Sequence, residues 1–191
     1  MTSVDPPPSR PPSRDLQVVD DIEGEFAERV VEAFHYRPDE LFRLVLTAGD
    51  VARRCYERLA LHAEMQIDWW LVEVWTHDTE LARRTLLDRV GAAYALHDLP
   101  AEVVADAQAD ADAARRRHPD VVHLDLAADG GLVGQMPVGW APALVIVTAC
   151  GADCTRALAD IRAGAEVPVN RLNGRNLVIL ADRAAAAAVP A

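Results

Sequence analysis

Residues 121–137 read VVHLDLAADGGLVGQMP, an apolar run followed by an aspartate and two glycines. A short apolar run bounded by turn residues is typical of a strand that is buried on both faces. Asp129, Gly130 and Gly131 follow this run closely. In open α/β sheets, ligands bind at the loops after the carboxyl ends of the strands. The stretch therefore predicts a central strand with a candidate functional loop behind it.

Similar apolar runs recur on both sides of this stretch and alternate with helical segments. Ile22, Phe26, Val30 and Phe34 have helical spacing and predict a first helix that ends near residues 36–38. The alternation predicts an α/β fold, a single doubly wound and mostly parallel sheet with helices on both faces. The further strands are predicted at 44–46, 71–75, 143–148 and 177–180, and the further helices at 51–63, 81–95, 101–117 and 153–163.

The chain has 191 residues, which is enough for one sizeable core and short for two domains. Residues 1–15 are rich in proline and carry little apolar surface, so they are predicted to form a disordered tail. Residues 16–191 are predicted to form the α/β domain.

The net charge and the cysteine content indicate which partners the protein is expected to bind and in which cellular compartment it is expected to lie. The formal net charge of -11, with scattered arginines, predicts no binding to nucleic acid or to a membrane surface. The sequence has no membrane-span pattern and no secretory pattern, and its three cysteines are too sparse for a disulfide framework. A cytoplasmic location is the resulting expectation.

Two absences exclude whole classes of mechanism. The chain has no lysine, so Schiff-base chemistry on lysine is excluded. Its serines are Ser3, Ser9 and Ser13, all within the predicted tail, which argues against a serine nucleophile on the scaffold.

Read in order, the loops and their flanks resemble the 6-phosphogluconolactonase and glucosamine-6-phosphate isomerase family. Residues 44–60 (LVLTAGDVARRCYERLA) stand where that family has a glycine loop followed by a helix, and residues 67–69 resemble its next segment. Residues 121–137 resemble its most diagnostic stretch, Gly-x-Gly-x-Asp-Gly-His-x-Ala-Ser-Leu-Phe-Pro. Residues 145–158 resemble a strand of that family followed by the start of a helix, and residues 167–185 resemble its last strand. The resemblance implies the fold of that family and a site for a sugar phosphate.

In the first loop, the resemblance assigns substrate-binding roles to Thr47 and Gly49. Thr47 replaces a serine, whereas Ala48 adds a side chain and Asp50 adds a negative charge near the place of a phosphate. The phosphate-facing lysine of the family falls on Cys154, and an arginine of the family falls on Thr79. These changes predict weak phosphate binding at most.

The catalytic histidine is also missing, because Gly131 stands where the family has the proposed general base for lactone hydrolysis. Asp129 and Pro137 match the motif. His77, followed by Asp78 at a strand end, is the candidate replacement base. Asp129 and His77 are therefore the candidate catalytic residues, with a solvent-facing pair at 77–78 as the alternative.

Two further positions are candidates for substrate binding. Gly130 and Gly131 could open a helix whose N-terminus accepts an anion, or they could form a strand-to-helix turn with an aspartate N-cap. Arg171 is one of few arginines that could reach a bound phosphate. His123 and Asp125 share a strand face but lack a third ligand, so we expect a buried core histidine, no metal and no cofactor.

These observations leave three functional hypotheses. The first is a divergent 6-phosphogluconolactonase-like protein of carbohydrate metabolism, in the pentose phosphate pathway, with impaired or lost lactone hydrolysis. The second is an active lactonase or sugar-phosphate isomerase that uses His77 as its base. The third is a non-enzymatic domain for oligomerisation or for a protein partner.

Overall fold

The computed structural model describes residues 13–92, 95–99, 118–134, 140–172 and 176–187. Their strands are β1 Ser13–Val18, β2 Phe42–Leu46, β3 Val72–Thr76, β4 Leu96–Asp98, β5 Val121–Leu126, β6 Leu132–Val133, β7 Leu144–Ala149 and β8 Asn176–Ala181. These strands form one eight-stranded sheet in the order β1-β8-β7-β5-β2-β3-β4, with β6 paired to β5 alone.

Every strand pair in this sheet is parallel except β5 with β6. The chain builds the sheet outward from β2 to β3 and β4, and then crosses to the other side of β2 to add β5, β7 and β8. The strand order therefore reverses between β2 and β5. In doubly wound sheets, the crevice outside the strand ends at such a point is the usual ligand site.

Helices cover both faces of the sheet, as predicted. The predicted helix 81–95 is shorter and begins earlier, as two short α-helices at Thr79–Ala82 and Asp88–Val90 joined by a π-helical turn at Arg83–Leu87. The predicted helix 101–117 lies outside the described residues. The helices are α1 Ile22–His35, α2 Asp50–His62, α3 Thr79–Ala82, α4 Asp88–Val90 and α5 Thr155–Arg162. Within the described residues, no helix has the length and apolarity needed to cross a bilayer.

Two apolar cores lie on opposite faces of the sheet. The larger packs α1 and α2 on one face, around Phe26, Tyr56 and Leu59. The other packs α5 through Leu158 against side chains such as Val147 from the opposite face. Because β2, β5 and β7 contribute residues to both cores, their apolar runs are continuous, which is why the sequence identified them.

Three strands differ from the sequence-based expectation. β1 begins at Ser13, so the last three residues of the predicted tail belong to an edge strand, whereas residues 1–12 lie outside the described residues. Ser13 pairs with Asn176 at the amino end of β8, far from the switch-point edge. β4 and β6 are three and two residues long. Strands this short or this polar lack a clear period-2 pattern, which explains why they were missed.

Candidate functional site

The candidate site lies at the switch point, where the loop after β2 meets the segment after β5. Thr47, Ala48 and Gly49 connect β2 to α2, and Gly49 is the N-cap residue of that helix with φ of 125°. Only glycine adopts this backbone readily. No side chain caps the first turn of α2, so its first backbone N–H groups have no side-chain acceptor among the described residues.

A cavity of about 280 Å³ opens beside this loop. The Thr47 hydroxyl is buried, and among the described residues it has no hydrogen-bond partner. It packs so closely against Gly134 that a Cβ at that position would clash with it. The lining residues are Leu46, Thr47, Ala48, Thr76, His77, Asp78 and Gly134. The cavity thus brings together Thr47 and His77 from the predicted site residues.

His77 and Asp78 are the titratable residues of this cavity lining. His77 is exposed in the loop after β3. Asp78 caps α3, because its Oδ1 accepts the N–H of Leu81 at 2.9 Å. Asp78 is therefore committed to a structural hydrogen bond, and His77 presents its ring to solvent at the cavity rim.

The loop after β5 forms a β-hairpin, and the predicted helix start at Gly130 and Gly131 is wrong. The N–H of Ala127 donates to the carbonyl of Gly131, and β6 returns antiparallel to β5. Asp129 is exposed, and its Oδ1 accepts the N–H of Gly131 at 2.8 Å. Gly130, with φ of 84°, is buried under Ala157. Asp129, Gly130 and Gly131 therefore build a tight turn, and none of them lines the cavity.

The arginines in the first turns of α2 and at position 171 each form an ion pair with a carboxylate. Arg53 donates to Glu57 at 3.2 Å, and Arg54 donates to Glu23 at 2.6 Å. The hydrogen bond that Arg54 donates to the Glu23 carboxylate raises the pKa of Arg54. Arg171, at the end of the 3₁₀ turn Pro168–Arg171, is exposed and lies 3.8 Å from Glu166. Arg171 does not line the cavity.

A buried polar network lies directly beneath the loop and was only partly predicted. His123 is fully buried on β5. Its Nε2 lies 3.1 Å from Thr148 Oγ1 and 3.3 Å from Asp125 Oδ1. The Thr148 hydroxyl donates to Asp125 Oδ1, which uses its one hydrogen. His123 Nε2 is therefore the donor toward this pair, and the expectation of a buried, hydrogen-bonded core histidine is confirmed.

Tyr56 extends this network from β5 to the loop. Its hydroxyl lies 2.9 Å from His123 Nδ1, accepts the N–H of Thr47 at 2.8 Å and lies 3.1 Å from the Thr47 carbonyl oxygen. At the other end of the network, the Asp125 carboxylate lies close to Gly49. Its Oδ2 is 3.3 Å from the position that a Cβ on Gly49 would take. The first loop is therefore held from below by a chain of Tyr56, His123 and Asp125.

Part of this network is predictable from residue spacing. His123 and Asp125 share a strand face by their spacing of two. Tyr56 lies 67 positions from His123, and its role depends on how α2 packs over β5, which no local pattern encodes.

The described residues include few candidates for binding a metal ion or for reacting as a thiolate. No group of three or more histidine, cysteine, aspartate or glutamate side chains among them could hold a metal ion. Cys55, Cys150 and Cys154 are free thiols, and burial raises the pKa of each. A raised thiol pKa lowers the thiolate fraction and with it the reactivity.

The cysteines are therefore expected to react slowly in the folded protein. Burial raises the pKa of Cys150 to about 12, so at pH 8 this thiol is almost entirely protonated. Iodoacetamide at pH 8, followed by mass spectrometry, should label all three cysteines at least about tenfold more slowly in buffer than in 8 M urea. Rapid labelling of Cys150 in buffer would contradict this expectation.

Comparison with solved structures confirms the fold that the sequence resemblance implies. The chain is similar to 6-phosphogluconolactonase from Thermotoga maritima, with a TM-score of 0.69 and 12% identity over 89% of this chain and 100% of that chain. It is also similar to 6-phosphogluconolactonase from Trypanosoma cruzi, with a TM-score of 0.68 and 16% identity over 94% and 97% of the two chains. A third similar structure is a monomeric glucosamine-6-phosphate deaminase, with a TM-score of 0.68 and 12% identity over 92% of this chain and 99% of that chain.

No protein-family model matches the sequence, and no curated protein matches it. Identities of 12–16% establish a shared fold and leave the activity to be argued from the site.

Proposed function

We propose that this chain is a cytoplasmic protein of carbohydrate metabolism that keeps the 6-phosphogluconolactonase fold, has lost lactone hydrolysis and binds sugar phosphates weakly at most. The observation that carries the proposal is the lining of the switch-point cavity. Among the described residues of that lining there is no cation, and its two titratable side chains are His77 and Asp78. A phosphate dianion in a partly buried site needs cationic or backbone donors to replace its hydration.

The hairpin after β5 supports the same proposal. The resemblance assigns the general base to the position of Gly131, and this residue supplies only backbone to a tight turn with Asp129. A water attacking a lactone carbonyl needs an acceptor within hydrogen-bond distance. Gly131 has no side chain that could accept this proton.

The rival enzyme hypothesis rests on one observation, that His77 and Asp78 both line the cavity. An exposed imidazole at the rim could activate water without a partner, and general base catalysis of this kind contributes about 100- to 10,000-fold. Asp78 Oδ1 is already bonded to the backbone of α3, which leaves His77 without that carboxylate oxygen as an orienting partner.

Hydrolysis of 6-phosphogluconolactone separates these two hypotheses. The purified protein should leave the lactone decay at its spontaneous rate, with His77→Ala and Asp129→Ala indistinguishable from the parent. The decay is followed by the acid it releases at constant pH, with an active 6-phosphogluconolactonase as the positive control. A rate well above the spontaneous one that either substitution abolishes would overturn the proposal in favour of the enzyme.

The interaction hypothesis is favoured by three exposed apolar side chains in the last turn of α2 and the segment that follows it. Leu61, Met65 and Trp70 are 70%, 93% and 74% exposed. Exposed apolar side chains that form a contiguous patch often mark contact surfaces between proteins. Light scattering coupled to size-exclusion chromatography tests the version of this hypothesis in which the protein forms homo-oligomers. A monomeric mass at all protein concentrations would exclude that version.

A further inference from the structure

A second cavity, of about 450 Å³, lies at the amino edge of the sheet, at the opposite end of the strands from the switch point. The last turn of α1 and the first residues of β7 and β8 form part of its walls. Ala33, Leu144 and Val178 give it apolar surface, and Tyr36 contributes an exposed aromatic ring. Apolar surface combined with a few charged groups is the usual form of a small-molecule site.

Three carboxylates line this cavity, and one of them is buried. Asp120, directly before β5, is 7% exposed, and its Oδ2 accepts the N–H of Arg43 at 2.7 Å. Its other oxygen has no hydrogen-bond partner among the described residues. Burial raises the pKa of Asp120, because it disfavours the charged form of the carboxyl group. A cation bound in the cavity would stabilise that charged form.

Glu32 and Asp15 supply the other two carboxylates. Glu32 is exposed in the last turn of α1, and its side chain has no hydrogen-bond or ion-pair partner among the described residues. Asp15 is exposed on β1, and one of its oxygens accepts the side-chain amide of Gln17 at 2.5 Å. The dipole of α1 adds negative potential at this end of the helix, which favours a cation there.

Two arginines also line the cavity, and both have partners of their own. Arg29 donates to Glu25 and to Gln17, at 2.8 Å in each case. Arg37 donates to the carbonyl oxygen of Phe34 at 2.6 Å and lies 3.9 Å over the ring of that residue. The described lining thus carries three carboxylates against two guanidinium groups, and Glu25 outside it balances Arg29. The cavity therefore favours a cation over an anion.

The form of the cation follows from the spacing of the carboxylates. No group of three or more histidine, cysteine, aspartate or glutamate side chains in the described parts of the chain could hold a metal ion. Asp15, Glu32 and Asp120 therefore do not converge on one compact ion. Two ammonium groups joined by a methylene chain can meet separate carboxylates, with the methylenes against Leu144 and Val178.

We propose that this cavity binds a small aliphatic diamine, with one ammonium group at Asp120 and the other at Glu32. The ring of Tyr36 offers the same ligand a cation–π contact at the cavity wall. The inference goes beyond the proposed function, because this cavity and the switch point lie at opposite edges of the sheet.

The experiment titrates 1,4-diaminobutane into the ¹⁵N-labelled full chain at constant pH and ionic strength, and follows the amide signals of residues 32–37 by NMR. Glu32→Gln and Asp120→Asn each remove one carboxylate, and the asparagine keeps an oxygen for the backbone N–H that Asp120 accepts. Glu28→Gln is the matched control, since Glu28 is exposed on the same helix and does not line the cavity. The control ligand is 1-aminobutane, which has one ammonium group.

The diamine is expected to bind with a dissociation constant of about 1 mM or tighter, and at least about tenfold more tightly than 1-aminobutane. Glu32→Gln should weaken binding by about threefold or more and Asp120→Asn by about tenfold or more, with Glu28→Gln unchanged. An equal loss in Glu28→Gln would mean a general charge attraction and would overturn the inference. Equal affinity for the two amines, or amide signals at 32–37 that do not move, would also overturn it. If Asp120→Asn fails to fold, Glu32→Gln decides the question, because its side chain is exposed.

Discussion

Replacing His123 with alanine is expected to lower the free energy of unfolding by about 3–5 kcal/mol, the largest stability effect expected within the buried network. The imidazole contacts Asp125 and Thr148 through Nε2 and Tyr56 through Nδ1, and its ring packs 4.5 Å from the ring of Phe26. Its removal leaves a buried carboxylate with one hydrogen-bond partner fewer and opens a cavity beside Phe26. Urea denaturation followed by circular dichroism measures the change.

His118→Ala is the matched control for this substitution. His118 is exposed, and its ring nitrogen lies 3.2 Å from the carbonyl oxygen of Ala141. Its replacement should change the free energy of unfolding by less than about 1 kcal/mol. Equal effects of the two substitutions would mean that the network beneath the loop does not stabilise the fold in the way described.

Replacing Tyr56 with phenylalanine is expected to cost about 2–3 kcal/mol of unfolding free energy, because one hydroxyl serves three partners. Without it, the buried N–H of Thr47 loses its acceptor and His123 Nδ1 loses its partner. The first effect should be local, so hydrogen exchange at the Thr47 amide should accelerate more than exchange at the amides of β7.

Tyr36→Phe provides the control, since Tyr36 is 81% exposed at the end of α1. It should change the free energy of unfolding by less than about 0.5 kcal/mol. If Tyr56→Phe were as neutral as Tyr36→Phe, the Thr47 loop would not depend on the tyrosine hydroxyl.

The central strands could be predicted because burial on both faces leaves a continuous apolar run. For this reason the apolar run predicts a strand at 121–126, the bounds that β5 has in the structure, and the spacing of apolar residues predicts the first helix. β1 was missed because SRDLQV is an edge strand with polar and charged residues. Its pairing with β8 depends on a partner about 160 positions away, so no local pattern identifies it.

The candidate site was predicted in part for a similar reason. The loop at 47–49 and the segment at 77–78 were located because they follow apolar runs directly. The segment at 129–131 has a sequence compatible with a helix start and with a tight turn, and the choice between them depends on the pairing of Leu132 with Leu126. The role of Asp125 likewise depends on the packing of Gly49 over the end of β5.

The central claim is that the described lining of the switch-point cavity offers no cationic side chain to a phosphate, so that a phosphate gives a ligand no advantage. The most direct measurement is a pair of calorimetric titrations of the unmodified protein, one with 6-phosphogluconate and one with gluconate, at the same pH and ionic strength. We expect dissociation constants weaker than about 1 mM for 6-phosphogluconate and no preference for it over gluconate. A submillimolar constant for 6-phosphogluconate, at least about tenfold tighter than that for gluconate, would contradict the claim.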